Sequence, residues 1–189
     1  MLVVLDPGHG GYDSGAVNVA NKLLEKDLNM ELAFIMESVL EERFDVMLTR
    51  NLDSYVMNKD RVKLANKNNA KFYISLHHNG VINIQANGIE VLYYPHSAYG
   101  KQLAEKVVNR ICAGWKIKNR GTKPGWYRQQ PGKYLTVLRD TKMPAILIEA
   151  CFLSNCQDRE YVIDKDARRR FYTHIATSVM EVILNESCT

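Results

Sequence analysis

Leu2-Val3-Val4-Leu5-Asp6-Pro7-Gly8-His9-Gly10-Gly11 opens the chain. Four apolar residues in succession, stopped by Pro and Gly, read as a short, fully apolar strand over Leu2–Asp6. His9 follows at once, among glycines that let the backbone turn tightly or approach something closely. The rest of the chain answers this strand with an alternation. Asp27–Glu42 predicts a helix, because Leu28, Leu32, Ile35 and Val39 fall on one face. Phe44–Thr49 reads as a second strand and Asn58–Asn69 as a polar helix with Val62 and Ala65 inward. Phe72–His77 and Gly88–Tyr94 read as strands, Ser97–Trp115 as a helix carrying Leu103, Val107 and Ile111, and Ala145–Phe152 as a buried strand. Asp166–Asn185 closes the chain as an amphipathic helix with Phe171, Ile175, Val179 and Val182 on one side. Asn119–Lys133, with glycines and prolines among basic and aromatic residues, reads as an ordered loop. Strands alternating with helices imply βαβ units, and so a single α/β domain with a twisted, mainly parallel sheet covered on both faces.

Composition narrows the class further. At 189 residues, 46% hydrophobic and 24% charged, the chain has one domain's length and the apolar content for a core, which excludes a disordered chain. No apolar run approaches the roughly 20 residues of a membrane span. The N-terminus has no basic start and no apolar stretch before a small-residue cleavage site, so it does not read as a signal peptide. Cysteines at 112, 151, 156 and 188 form no Cys-x-x-Cys pair, which argues against a cysteine zinc site and a disulfide scaffold.

The formal net charge of +4 hides an asymmetry. Residues 101–142 hold eleven Lys and Arg against two acids, net +9, and the other residues hold fourteen against nineteen, net −5. Such a segment can meet a polyanion, or be a solvated face. No nucleic-acid motif accompanies it.

In open α/β sheets, ligands bind beyond the carboxyl ends of the strands. His9 lies just past the first strand and His77 at the end of the third. Glu25 precedes the first long helix and can reach the same edge. Two His and one carboxylate leave an open fourth position, the arrangement of catalytic zinc, although the same set also suits non-haem iron. His77 and His78 are adjacent, so on a continuous strand they point to opposite faces, one as a ligand and the other as a packing or substrate residue. Glu149 lies inside the apolar strand Ala145–Phe152. Burying a carboxylate there is costly unless it is paired or near a cation. It reads as a buried ion pair or as a general base for water activated by a metal. Cys151, two residues on, would share Glu149's face and reads as a small buried hydrophobe or, beside a His, as a nucleophile. Trp126, Tyr127 and Tyr134, interleaved with five Lys and Arg between 118 and 133, could meet a polar, partly apolar substrate such as a glycopeptide, or pack on the sheet.

Taken together these residues resemble a family. Leu5-Asp6-Pro7-Gly8-His9-Gly10-Gly11-Tyr12-Asp13-Ser14-Gly15-Ala16 is similar to the first ligand motif of the zinc-dependent N-acetylmuramoyl-L-alanine amidases of bacterial autolysins and phage endolysins. Glu25-Lys26-Asp27-Leu28-Asn29 resembles the second, and Ser75-Leu76-His77-His78-Asn79 the third. Leu48-Thr49-Arg50, Asp53, Arg61, Asn87-Gly88-Ile89-Glu90-Val91 and Met143-Pro144-Ala145 through Glu149 stand in the expected order. The resemblance runs from residue 2 to about residue 184. It implies one zinc ion held by His9, Glu25 and His77, with Glu149 as the catalytic carboxylate. It implies hydrolysis of the amide between N-acetylmuramic acid and L-alanine of peptidoglycan. A zinc peptidase of the stem peptide and a catalytically silent wall-binding domain are the alternatives. Residues 101–142 would favour anionic wall polymers, with no nucleic acid or membrane span involved. Residues 1–189 would form one catalytic domain without wall-binding repeats, acting as a monomer. The protein is expected to be made in the cytoplasm and to reach the wall by lysis or a membrane breach. Two departures stand beside the site: His78 where the family usually has a small residue, and Ala150-Cys151 where it usually has Gly before Phe152.

Overall fold

The computed structural model describes residues 1–127, 130 and 132–187. In chain order the elements are β1 (Leu2–Pro7), β2 (Val17–Asn18), β3 (Leu23–Leu24), α1 (Glu25–Leu40), β4 (Asp45–Leu48), α2 (Asn58–Lys67) and β5 (Phe72–Asn79). Then come β6 (Ile89–Tyr93), α3 (Ala98–Gly114), β7 (Asn119–Pro124), α4 (Thr136–Arg139), β8 (Ala145–Phe152), α5 (Cys156–Ile163) and α6 (Lys165–Ser187). The main sheet has the order β4-β1-β5-β8-β6-β7. Strands β4, β1, β5 and β8 run parallel, β6 runs antiparallel to β8, and β7 runs parallel to β6. Strands β2 and β3 form a separate small hairpin.

The expected α/β sheet covered on both faces is the observed one, and each face has its own apolar cluster. Val3, Leu5, Ile74, Leu76, Ile146 and Ile148 point to one side, under α1, α3, α5 and α6. Val4, Tyr73, Ala145 and Leu147 point to the other, where the short α2 and α4 contribute Val62, Ala65, Val137 and Leu138. This second face has less helix to cover it. Its carboxyl end stays open, and the opening is a cavity of about 810 Å³.

Three readings of the sequence change here. The segment from Asn119 is not wholly loop: Asn119–Pro124 pairs with β6 as the edge strand β7, with a register irregularity between Ile89 and Val91. The first long helix begins at Glu25 itself. Two acids, Glu25 and Asp27, then lie in its first turn, where the helix dipole favours them. Cys151 does not share Glu149's face. His77 pairs with Glu149 but Asn79 with Phe152, so β8 carries one extra residue between those pairs. This β-bulge breaks the alternation and sends Cys151 into the helix-covered core beside Ile148 and Ala150.

Cys112, Cys151 and Cys156 are free, and Cys188 lies outside the described residues. Among the described residues, no helix is long and apolar enough to cross a membrane.

Candidate metal centre and active site

His9, Glu25 and His77 meet at the carboxyl edge of β1 and β5, with one ligand atom of each lying within 4.8 Å of the others. The backbone that brings them there is tight. A Cβ on Gly8 would sit 2.1 Å from His77 Cε1, so only glycine lets β1's extension pass the imidazole. Gly15, at φ +65°, approaches both Glu25 and His9 in the same way: a Cβ there would lie 2.6 Å from each. His9 itself takes φ 61°, a left-handed conformation that costs of order 1–3 kcal/mol and must be held by its surroundings.

Two buried arginines do the holding. Arg61 donates to Pro7 O at 2.7 Å and to His9 O at 2.8 Å, and Arg50 donates to Pro7 O at 2.9 Å and Gly8 O at 3.0 Å. Every carbonyl from Pro7 to His9 is therefore tied to a guanidinium. Arg61 is in turn paired with Asp6 at 2.7 Å, both side chains being 2% exposed. Asp6 also accepts from Thr49 Oγ1 at 2.6 Å and Ser75 Oγ at 2.7 Å. Burial alone would raise the Asp6 carboxyl. The charge of Arg61 and the hydrogen bonds from Thr49, Arg61 and Ser75 reverse that and hold it below its ordinary value.

Glu25 is buried at the head of α1. Its Oε1 faces His77 Nδ1 at 2.9 Å and His9 Nε2 at 3.2 Å and accepts from His78 N at 3.1 Å, and its Oε2 accepts from Ala16 N at 2.7 Å. Burial pushes this carboxyl up, but the hydrogen bonds and charges of His77 and His9 outweigh it and hold Glu25 well below the ordinary carboxylate range. Burial likewise opposes a charge on His9, yet Glu25 and then Asp13 raise its imidazole to about 9. The cluster thus favours positive charge. Asp13 Oδ2 sits 2.9 Å from His9 Nδ1 and turns Nε2 toward Glu25, the outer-sphere carboxylate that metal-binding histidines use. Two ring nitrogens and a carboxylate oxygen, oriented and converging, form a donor set that can hold a metal ion.

Glu149 is the direct neighbour of His77 across the β5–β8 ladder and lines the cavity with His9 and His77. Glu90 lies opposite Glu149 on β6 and lines the cavity too. Its carboxylate accepts from Arg120 Nε at 2.7 Å and Asn79 Nδ2 at 3.0 Å.

His78 points away from the cavity, as strand alternation requires. It is buried, and burial pushes its imidazole down to about 4, so it is neutral. Nδ1 donates to Asn29 Oδ1 at 2.8 Å and Nε2 accepts from Tyr172 OH at 2.8 Å. Asn29 Nδ2 passes the chain on to Gly8 O at 3.3 Å. His78 is a packing residue linking α6, α1 and the Gly8 backbone, and it does not contact the cavity. Cys151 is fully buried in the helix-covered core and does not line the cavity, as a small buried hydrophobe would be placed, and burial with the charges of Asp158 and Glu149 raises its thiol well above its ordinary value.

The far wall of the cavity comes from β6, β7 and the segment after it. Trp126 and Tyr134 form a bridge with ring centroids 4.5 Å apart, and Tyr134 meets Tyr94 edge-on at 5.1 Å. Tyr127 and Lys123 also line the cavity. Of the five cations noted in this stretch, Arg128 lies outside the described residues. The larger basic segment is partly offset by acids from elsewhere: Arg110 pairs with Glu181, Lys106 with Glu186 and Arg120 with Glu90.

The sequence reading quoted Asp13, Glu90, Arg50 and Arg61 only as motif positions and gave none of them a role. Asp13 had a local signal, a carboxylate four residues past a candidate ligand. The others act through long-range contacts with no local trace.

Two His and a Glu converge at the carboxyl edge of a mainly parallel α/β sheet, with a further Glu beside them, and together they define an α/β domain with a candidate metal site. Residues 3–181 match the N-acetylmuramoyl-L-alanine amidase family. The chain is 31% identical over 159 residues to the N-acetylmuramoyl-L-alanine amidase LytC of Bacillus subtilis, covering 82% of this chain and 30% of that one. It is 35% identical over 166 residues to the probable cell wall amidase LytH of Staphylococcus aureus, covering 86% and 52%. It therefore spans about half or less of the length of these curated relatives. The solved N-acetylmuramoyl-L-alanine amidase from Clostridium difficile 630 superposes with a TM-score of 0.87 at 31% identity, over 100% of this chain and 97% of that one. The chain belongs to the N-acetylmuramoyl-L-alanine amidase family.

Proposed function

We propose that this domain hydrolyses the amide between the lactyl group of N-acetylmuramic acid and L-alanine of the peptidoglycan stem peptide, with one zinc ion held by His9, Glu25 and His77. The observation that carries the reading is the pairing of His77 with Glu149 across β5 and β8, which sets a carboxylate beside the three-ligand cluster in one cavity. Zinc, when bound, polarises a carbonyl as a Lewis acid and brings the pKa of water toward 7.

The chain's own residues do the rest. Glu149 accepts a proton from the attacking water as the carbon–oxygen bond forms. It returns that proton to the alanine nitrogen as the carbon–nitrogen bond breaks. The products are a lactyl carboxylate on the sugar and a free alanine amine on the peptide. Asp13 orients His9, and Arg50 and Arg61 fix the backbone from which His9 projects. The site of action is the cell wall, where this substrate lies. Lys116, Lys118, Lys133 and Lys142, which make no ion pairs among the described residues, favour approach to anionic wall polymers.

Purified peptidoglycan digested with and without a chelator tests the reading, with new termini identified by mass spectrometry. Alanine amino termini that vanish with chelator and return with zinc are expected. New termini within the stem peptide would make it a peptidase. No cleavage by zinc-loaded protein would favour a wall-binding domain.

A further inference from the structure

Beyond the metal cluster the cavity continues along a row of side chains. Leu147 on β8 stands opposite Leu92 on β6, and Leu92 stands opposite Lys123 on β7. All three line the cavity, two residues along the ladder from the Glu149–Glu90 pair. Strands about 4.8 Å apart and same-face residues about 6.7 Å apart put the Lys123 Cα roughly 12 Å from the Glu149 Cα. The floor between is apolar, with Leu92 and Leu147 joined by Leu135 and Val137. Other cations on the lining are committed. Arg61 is spent on Asp6 and the His9 backbone, and His9 faces Glu25 and Asp13. Lys123 is exposed and makes no ion pair among the described residues.

We propose that Lys123 is a specificity determinant that receives a carboxylate of the substrate peptide, on the residue after alanine. The inference rests on the hydrolysis reading of the same site and names the half of the substrate that lies over β6 and β7. An amidated muramoyl group has no free carboxylate, because its lactyl carboxyl is the one joined to alanine. A cation at this end is therefore matched by the peptide and not by the sugar. The apolar floor suits alanine's methyl group. With Glu149 and Lys123 reaching in from the two ends, the gap left in about 12 Å fits one to two extended residues at roughly 3.5 Å each.

Two synthetic N-acetylmuramoyl-L-alanyl dipeptides test this, identical except that the second residue carries a free carboxylate or its amide. Zinc-loaded wild type is expected to prefer the carboxylate roughly tenfold in kcat/KM, the scale of one charge-assisted hydrogen bond. The preference should lie in KM, since the contact exists in ground and transition states alike. Lys123→Met should shrink it to within about twofold, and Lys123→Glu should reverse it. Calorimetric titration of the same two ligands into Glu149→Gln and Glu149→Gln/Lys123→Met proteins should show the same preference and the same loss without turnover. Cleavage with equal preference in wild type and Lys123→Met overturns this assignment alone. Failure of the zinc-loaded wild type to cleave either compound overturns the hydrolysis reading and the assignment with it.

Discussion

At the β1–β5–β8 end of the cavity, the groups suited to chemistry are held by buried charge and by backbone with no room for a Cβ. At the β6–β7 end, the wall is made of surface aromatics and a lysine. The side chains of Arg61 and Asp6 are 2% exposed, whereas Trp126 is 38% exposed. The first end converges several strand ends on one point, and a side-chain carbon at Gly8 would lie 2.1 Å from His77 Cε1. The second offers area and charge in a layer open to solvent, where contacts are individually weak. Reactive atoms need fixed geometry, while a bound chain needs surface. Each region uses the means that suits its task.

The sharpest way to break this contrast is at Glu149. Glu149→Gln keeps size and polarity but cannot take a proton, so activity should fall roughly 10²- to 10⁴-fold with zinc content unchanged. Elemental analysis beside kinetics decides it: zinc lost together with activity would make Glu149 a ligand.

Next comes the anchoring charge. Arg61→Met leaves Asp6 buried without its cation and frees the carbonyls of Pro7 and His9, so stability should fall by roughly 3–5 kcal/mol in denaturant titration. The same pair sets an acid limit. Asp6 is held below its ordinary 3.8 in the folded state, so its contribution is present above that pH. It is lost as pH falls through the lowered folded value. Wild type should lose stability at acid pH more steeply than Asp6→Asn, whose curve is flatter from a lower start. Parallel curves would remove Asp6 as the cause.

The exposed end predicts smaller effects. Trp126→Ala should change stability by less than about 1 kcal/mol while raising KM, because a partly exposed ring contributes substrate contact and little core. A large stability loss would mean that this wall is structural after all. Added salt should weaken activity on whole walls more than on a small fragment, since exposed charges are screened beyond about 10 Å at 0.1 M. Equal sensitivity would count against a role for the lysines of residues 101–142.

Much of the strand–helix alternation was legible because apolar periodicity is local: β8 has its expected limits, and most other elements differ by a residue or two. The short elements β2, β3, α4 and α5 had no comparable pattern and went unread. Among candidate site residues, His9, His77 and Glu149 were legible as polar groups at strand ends or inside an apolar run, and Glu25 as a carboxylate just before the first long helix. Glu90 was not, since an alternating strand offers no sign of which face meets a cavity.

Residue order by itself determined the α/β class, the opposite faces of His77 and His78, and the set of donors at one sheet edge. These follow from the fixed periods of strand and helix and from where strands stop. Only the tertiary structure decided that β8 gains a residue at Cys151, that α1 starts at Glu25, and that Arg50 and Arg61 grip the Pro7–His9 backbone. It also decided that Lys123 lies in line with Leu92 and Leu147. Register and long-range pairing depend on partners tens of residues away, and no local pattern encodes a partner's position.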